Sequence, residues 1–153
     1  MIYIGIDVGA KGGISAINEH SEVLFSVPMS RENLVDKMNQ VNFWRTEWNC
    51  GAIACVEKVG AMPGQGVTGM FNFGKGAGYI EGVLETLQIP YQLIPPQRWK
   101  KEFGLIHKEK KDSIETCKRL FPGVNLLPTE RCRKESDGLA ESLIMAEFAK
   151  RKF

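Results

Sequence analysis

The chain has 153 residues, of which 43% are hydrophobic and 25% are charged, and its formal net charge at pH 7 is only +2. These proportions are typical of one folded domain with a sizeable core, and they exclude a disordered or fibrous protein. No apolar run reaches the roughly 18–20 residues that a membrane span needs, and the N-terminus lacks the residue order of a secretory signal. We therefore expect a soluble, cytoplasmic protein.

The first part of the chain alternates between strand and helix signals. Apolar alternation and turn residues predict three short antiparallel strands, over residues 2–8, 13–18 and 22–27. Apolar residues at helical spacing between Leu34 and Val41 then predict a helix. This helix crosses to a short apolar run over residues 51–57, which suits a buried central strand.

The second part continues this alternation and ends in helices. After a loop over residues 60–68, we predict a helix through Leu87 and a fifth strand over residues 91–94. Three further helices are predicted, opening at Pro95-Pro96, over about 108–120 and over about 134–151. The order predicts a single α/β domain over residues 1–153, in which a five-stranded mixed sheet has its first and fourth strands side by side.

Two acidic residues stand where neighbouring strands of this predicted sheet end. Asp7 follows the isoleucines of the first strand, and Glu57 ends the fourth. Because parallel neighbours end at the same sheet edge, we expect the two carboxylates to meet. Like charges so close repel, so either one acid is protonated or the pair binds a hard metal ion.

A third acidic cluster favours the metal. Asp137 and Glu141 are four residues apart, so they lie on one face of the last predicted helix, and Ile144 and Phe148 continue that stripe toward the core. Each acid alone has an ordinary explanation as a turn residue or a first-turn acid. Together the four predict a site for two Mg²⁺ ions about 3.5–4 Å apart, with Mn²⁺ able to substitute, as in phosphodiester cleavage.

These residues also carry a resemblance to a known family. The segments "YIGIDVG", "IACVE" and "DGLAESLIMA" resemble the RuvC family of Holliday-junction resolvases, in its compact bacteriophage form, within the ribonuclease H-like superfamily. The resemblance implies a ribonuclease H-like fold and carries the catalytic, metal-binding acids over as Asp7, Glu57, Asp137 and Glu141. The family's last two acidic positions are three apart rather than four, and Glu141 is the better match for the final acid.

The basic segment "PPQRWKKEFGLIHKEKKDS" resembles the part of the family that supplies lysines near the scissile phosphate. Lys100 and Lys111 are the best matches for catalytic lysines, with Lys101 and Lys110 as close rivals. Clustered Lys and Arg side chains also suit contacts to the DNA backbone. The remaining DNA-binding candidates are Arg98, Lys101, Lys108, Lys110, Gln65 and Thr68. A solvated helix face is the alternative, because acidic residues are interspersed.

Glycines near the middle of the chain invite two further interpretations. Residues 69–76 almost match a phosphate loop, but Gly76 stands where a Ser or Thr must bind Mg²⁺, so we reject that interpretation. Gly74, Gly78 and Gly82 recur every fourth residue and would give a helix a bare face for close packing. The resemblance implies a homodimer at this helix, which suits symmetric nicking of a four-way junction.

The sequence thus predicts a Mg²⁺-dependent, structure-selective endodeoxyribonuclease. It would nick Holliday junctions and other branched DNA in phage or bacterial recombination and genome processing, in the bacterial cytoplasm and without a membrane partner. Three alternatives stay open: a junction-binding protein without catalysis, a ribonuclease H-like nuclease that acts on RNA, and an actin-like or sugar-kinase-type ATP-binding domain. The last of these needs two such domains, and the acids near the C-terminus would have no role in it.

Overall fold

The computed structural model describes residues 1–61, 64 and 66–153. In this part of the chain the strands are β1 (Ile2–Ile6), β2 (Gly13–Asn18), β3 (Val23–Pro28), β4 (Ala52–Glu57) and β5 (Tyr91–Ile94). The helices are α1 (Arg31–Glu47), α2 (Val67–Thr86), α3 (Pro96–Glu102), α4 (Lys110–Leu120) and α5 (Asp137–Lys152). None of the helices described here is both long and apolar enough to cross a membrane.

The sheet has the strand order β3-β2-β1-β4-β5. The first three strands pair antiparallel, whereas β1 with β4 and β4 with β5 pair parallel. The predicted five-stranded mixed sheet is therefore confirmed. Ile6 of β1 pairs with Val56 of β4, so the next residue of each strand leaves the sheet at the same edge.

Helix starts differ from the predicted bounds where a cap sets them. The last helix begins at Asp137 rather than near residue 134, because the Ser136 hydroxyl accepts a hydrogen bond from the N–H of Leu139. The basic helix begins at Lys110 rather than near 108, because a capping box joins Glu109 and Asp112. The first strand ends at Ile6 rather than at residue 8, and other element bounds differ by about one residue.

The sheet separates two hydrophobic cores. On one face Ile2, Ile4 and Ile6 pack with the buried residues of α1 and α2. On the other face Cys55 packs with Trp99 of α3 and with the buried sides of α4 and α5. This alternation confirms that Tyr3, Gly5 and Asp7 face away from the isoleucine core, toward α5.

Helix α5 lies directly against the backbone of β1 and β2. A Cβ atom at Gly5 would overlap the carbonyl of Ser142 and lie 2.5 Å from the amide nitrogen of Ala146. A Cβ atom at Gly13 would lie 2.7 Å from the carbonyl oxygen of Gly138. The buried hydroxyls of Ser15 and Ser142 are 2.6 Å apart and hydrogen-bonded. The first turn of α5 is thereby held beside the carboxyl ends of the central strands.

Candidate active site

Two strand ends and one helix bring the four predicted acids together. Asp7 follows β1, Glu57 ends β4, and α5 begins with Asp137 and carries Glu141 one turn later. Asp7, Asp137 and Glu141 line one cleft of about 270 Å³. Parallel pairing of β1 with β4 brings Glu57 to the same edge, and its charge helps to raise the pKa of Asp7. The four residues therefore form one acidic cluster at the sheet edge.

The neighbourhood of Asp7 strongly favours its protonated form. Burial, followed by the charges of Glu57 and Glu141, raises the pKa of Asp7 to about 8. Burial and the charge of Glu141 also raise the pKa of Glu57, against the opposing effects of Trp99 and Lys100. Asp7 and Glu57 thus titrate as a pair that holds a proton near neutral pH.

Side chains from α3 and α4 neutralise the acids of α5. The Lys110 ammonium lies 2.7 Å from the Asp137 carboxylate, which raises the pKa of Lys110. The Lys100 nitrogen lies 3.8 Å from Oε1 of Glu141. The Ser113 hydroxyl donates a hydrogen bond of 3.0 Å to the same Glu141 oxygen. Lys100 and Lys110 therefore offset part of the negative charge of this cluster.

The donor set of the cluster suits a divalent cation. Carboxylate oxygens are the hard ligands that Mg²⁺ prefers, and their mutual repulsion is relieved by a cation between them. In residues 1–61, 64 and 66–153, no three acidic, His or Cys side chains stand close enough together to hold one ion. The Lys110 side chain is 75% exposed, so it can leave Asp137 without disturbing the core. The acids therefore fit the ion in charge and ligand chemistry, while the described side chains do not converge on one point.

The lysines predicted to be catalytic lie in different places. Lys100 lines the acidic cleft, together with Lys108 and Lys110. Lys111 instead is 71% exposed and lies 3.3 Å from a carboxylate oxygen of Glu109. The structure thus brings Lys110, rather than Lys111, to the acids.

The other predicted DNA-binding residues lie outside the cleft. Arg98 and Lys101 line a separate hollow with Lys152 of α5, and the Arg98 guanidinium lies 5.9 Å from the ring centre of Phe148. Thr68 is exposed in the first turn of α2. Gln65 lies outside the described residues.

Comparison with known proteins identifies the fold. No protein-family model and no curated protein matches the chain. A structure of Thermus thermophilus RuvC matches with a TM-score of 0.61 and 16% identity, over 99% of this chain and 96% of that chain. T. thermophilus RuvC in complex with a Holliday junction substrate matches with a TM-score of 0.61 and 14% identity, over 95% of this chain and 90% of that chain. The chain has the RuvC fold.

Within this RuvC fold, three residues near the acids were not predicted as site residues. Lys11 lines the cleft from the turn between β1 and β2, and Ser113 reaches Glu141 from α4. Trp99 is fully buried in the cluster that also holds Ile94, the β5 residue paired with Glu57. The position of Lys11 four residues after Asp7, in a glycine-rich turn, was the available signal. Ser113 and Trp99 gave no such signal, because their partners are distant in the sequence.

Because the pKa of Asp7 is raised, we predict that the difference in stability between wild type and Asp7→Asn depends on pH in a metal-free buffer. Since the pKa rises from 3.8 to about 8 on folding, the stability that the protonated carboxyl contributes is complete below about pH 4 and lost by about pH 8. Asparagine cannot ionise. Differential scanning fluorimetry with a chelator should therefore show Asp7→Asn melting several degrees above wild type near pH 8, and a much smaller difference near pH 4.

Asp36→Asn is the matched control for this measurement. Its carboxylate is 66% exposed and pairs with Lys37 on α1, so its difference from wild type should change little between the two pH values. A difference for Asp7→Asn that is equally flat would contradict the buried, coupled state of Asp7.

Proposed function

We propose that this chain is a divalent-metal-dependent, structure-selective endodeoxyribonuclease that nicks Holliday junctions and other branched DNA. The observation that carries the proposal is the cleft lined by Asp7, Asp137, Glu141 and lysines at the sheet edge of a RuvC fold, where β4 also ends in Glu57. One of the similar RuvC structures is a complex with a Holliday junction substrate. In this proposal residues 1–153 act as a single RuvC-like nuclease domain, in phage or bacterial recombination and genome processing in the cytoplasm.

In this proposal the four acids hold the cofactor. Asp7 and Glu57 anchor it from the strand ends, and Glu141 and Asp137 complete the ligand set from α5. Bound Mg²⁺, or Mn²⁺ in its place, supplies an activated water and stabilises the leaving oxygen of the phosphodiester. Helix α5 packs directly on the backbone at Gly5 and Gly13. This contact supports the proposed roles, because it holds Asp137 and Glu141 in a fixed position relative to Asp7 and Glu57.

The lysines around the cleft bind phosphate. Lys100 and Lys110, which neutralise Glu141 and Asp137 in the absence of DNA, are positioned to turn to the scissile phosphate and stabilise its developing negative charge. Lys108 and Lys11 extend the positive rim of the cleft. Lys111, Arg98 and Lys101 are exposed beyond it, where they suit contacts to the DNA backbone further along the arms.

A homodimer is the proposed assembly, with α2 at its centre. A Cβ atom added at Gly74, Gly78 or Gly82 would meet no described atom within 4 Å, so these glycines present a bare face to solvent. Phe71 on the same helix is 69% exposed. A two-fold dimer through this helix would give two acid clusters for the two strands of a symmetric junction.

The proposal is tested with a labelled synthetic four-way junction, next to a replication fork, a linear duplex and an RNA–DNA hybrid. With Mg²⁺ we expect paired nicks in the junction and little cutting of the linear duplex. With a chelator we expect no cutting of either substrate. Binding is followed on the same substrates by gel shift.

Each contrary result identifies a different alternative. A junction that is bound but never cut would indicate a recognition protein without catalysis. Preferential cutting of the hybrid would indicate a nuclease that acts on RNA. If no branched substrate is bound, the proposal is rejected and ATP binding is the next activity to measure.

A further inference from the structure

Trp99 has a hydrogen-bond donor that the fold does not use. Its side chain is fully buried in the core between α3, α5 and the sheet. Among the described residues, its indole nitrogen Nε1 is the buried side-chain polar atom without a hydrogen-bond partner. Nearly all such atoms in native proteins are paired, because an unpaired buried donor costs free energy. The exception therefore calls for a specific acceptor.

The nearest acidic neighbour of this donor is Glu57. Trp99 packs with Cys55, which shares a face of β4 with Glu57. Glu57 pairs with Ile94 at the end of β5, and Ile94 and Trp99 lie in the same buried cluster. The indole also lowers the pKa of Glu57, although its N–H has no hydrogen-bond partner of good geometry.

The face of the Trp99 ring also lies against Lys100, which lines the cleft. The Lys100 ammonium lies 5.1 Å from the centre of the Trp99 ring, at cation–π distance. The same ammonium is the one 3.8 Å from Glu141. Trp99 is therefore a neighbour both of Glu57 and of Lys100, the lysine that pairs with Glu141.

We propose that Trp99 is a positioning residue for Glu57. With a divalent cation held by the acids, the Glu57 carboxylate would accept the hydrogen bond from the indole N–H. The ring face keeps Lys100 beside Glu141. Trp99 touches neither the cation nor DNA, and its role is that of an outer hydrogen-bond partner that orients a metal ligand. The inference rests on the metal site of the proposed function.

The direct test follows the indole N–H by ¹H–¹⁵N NMR of the wild-type chain. The protein has only three tryptophans, so Trp44→Phe and Trp48→Phe assign two indole signals and leave the third to Trp99. On titration with Mg²⁺ we expect the Trp99 indole proton to move downfield as its hydrogen bond forms. The signals of Trp44 and Trp48, which stack on each other at the end of α1 at 5.0 Å, should not move.

Trp99→Phe tests the function of the hydrogen bond, since it keeps an aromatic ring and removes the donor. We expect the Mg²⁺ concentration for half-maximal thermal stabilisation, and for half-maximal junction nicking, to rise about 10-fold. The nicking rate at saturating Mg²⁺ should stay within about 3-fold of wild type, which a general packing defect would not produce. Trp48→Phe, at an exposed site at the end of α1, should change neither quantity.

The outcomes separate this inference from the proposed function. A Trp99 signal that stays in place while Mg²⁺-dependent nicking is intact overturns the positioning role and leaves the nuclease standing. A signal that moves downfield without any nicking supports the positioning role and rejects the nuclease. If Trp99→Phe does not fold, the titration of the wild-type chain decides the question by itself.

Discussion

Replacing Asp7 with asparagine should abolish nicking of the four-way junction while leaving the junction bound. Asp7 lies at the centre of the acidic cluster, where Glu57, Glu141 and Asp137 all act on its pKa. Asparagine has the same size but no charge to anchor a divalent cation. We expect the nicking rate to fall about 10³-fold or more, the scale of removing one member of a cooperating catalytic group. Quantified gels at saturating Mg²⁺ measure it.

Three parallel measurements make this result specific. Asp36→Asn, the same substitution at an exposed site on α1, should nick at the wild-type rate. Junction binding by Asp7→Asn, measured by gel shift, should be equal to wild type or tighter, because one negative charge near the phosphates is gone. Its melting temperature without metal should be higher. Wild-type nicking by Asp7→Asn would remove Asp7 from the catalytic site.

Gly5→Ala should be the most destabilising single-methyl change among the glycines of the sheet. The added Cβ would meet the backbone of Ser142 and Ala146, which cannot rotate away as a side chain can. Overpacking of this kind costs about 1–3 kcal/mol and more where backbone must shift. We therefore expect the free energy of unfolding to fall by about 3 kcal/mol, and the melting temperature by roughly 6–12 °C.

Gly76→Ala on α2 is the matched control, since a Cβ there meets no described atom within 4 Å. It should raise the free energy of unfolding by about 0.5–1 kcal/mol, as alanine does for glycine inside a helix. Urea denaturation of both variants gives the comparison. Equal stability of Gly5→Ala and wild type would show that α5 does not rest on the β1 backbone as described.

The sheet and the meeting of the acids were predictable because they follow from local patterns. Isoleucines at alternate positions of β1 define its buried face, so Asp7 must lie on the other face. Parallel pairing of β1 with β4 then brings Glu57 to the same edge. The four-residue spacing of Asp137 and Glu141 predicted their shared helix face in the same way.

The lysines and Trp99 were less predictable, because their positions depend on tertiary packing. A helix turns by about 100° per residue, so whether Lys110 or Lys111 meets the acids depends on the residue at which α4 begins and on how it packs against α5. The capping box of Glu109 and Asp112 sets that start. The pairing of Lys110 with Asp137 spans 27 positions of the chain, since 137 − 110 = 27, and no local pattern reports it.

The contact of α5 with the sheet has a consequence for how this molecule can vary. The positions of Asp137 and Glu141 are set by contact of α5 with the backbone at Gly5 and Gly13. A larger residue at either glycine would clash with this helix. Of the lysines at the cleft, Lys100 and Lys110 come from α3 and α4, and Lys108 lies in the largely exposed segment over residues 103–109 that joins these helices. Mutations in that segment can change the positively charged residues around the cleft while the acids stay in position. In the proposed nuclease, substrate preference can therefore evolve while the acids keep their positions. The lysines and the acids lie in parts of the chain that tolerate mutation to different degrees.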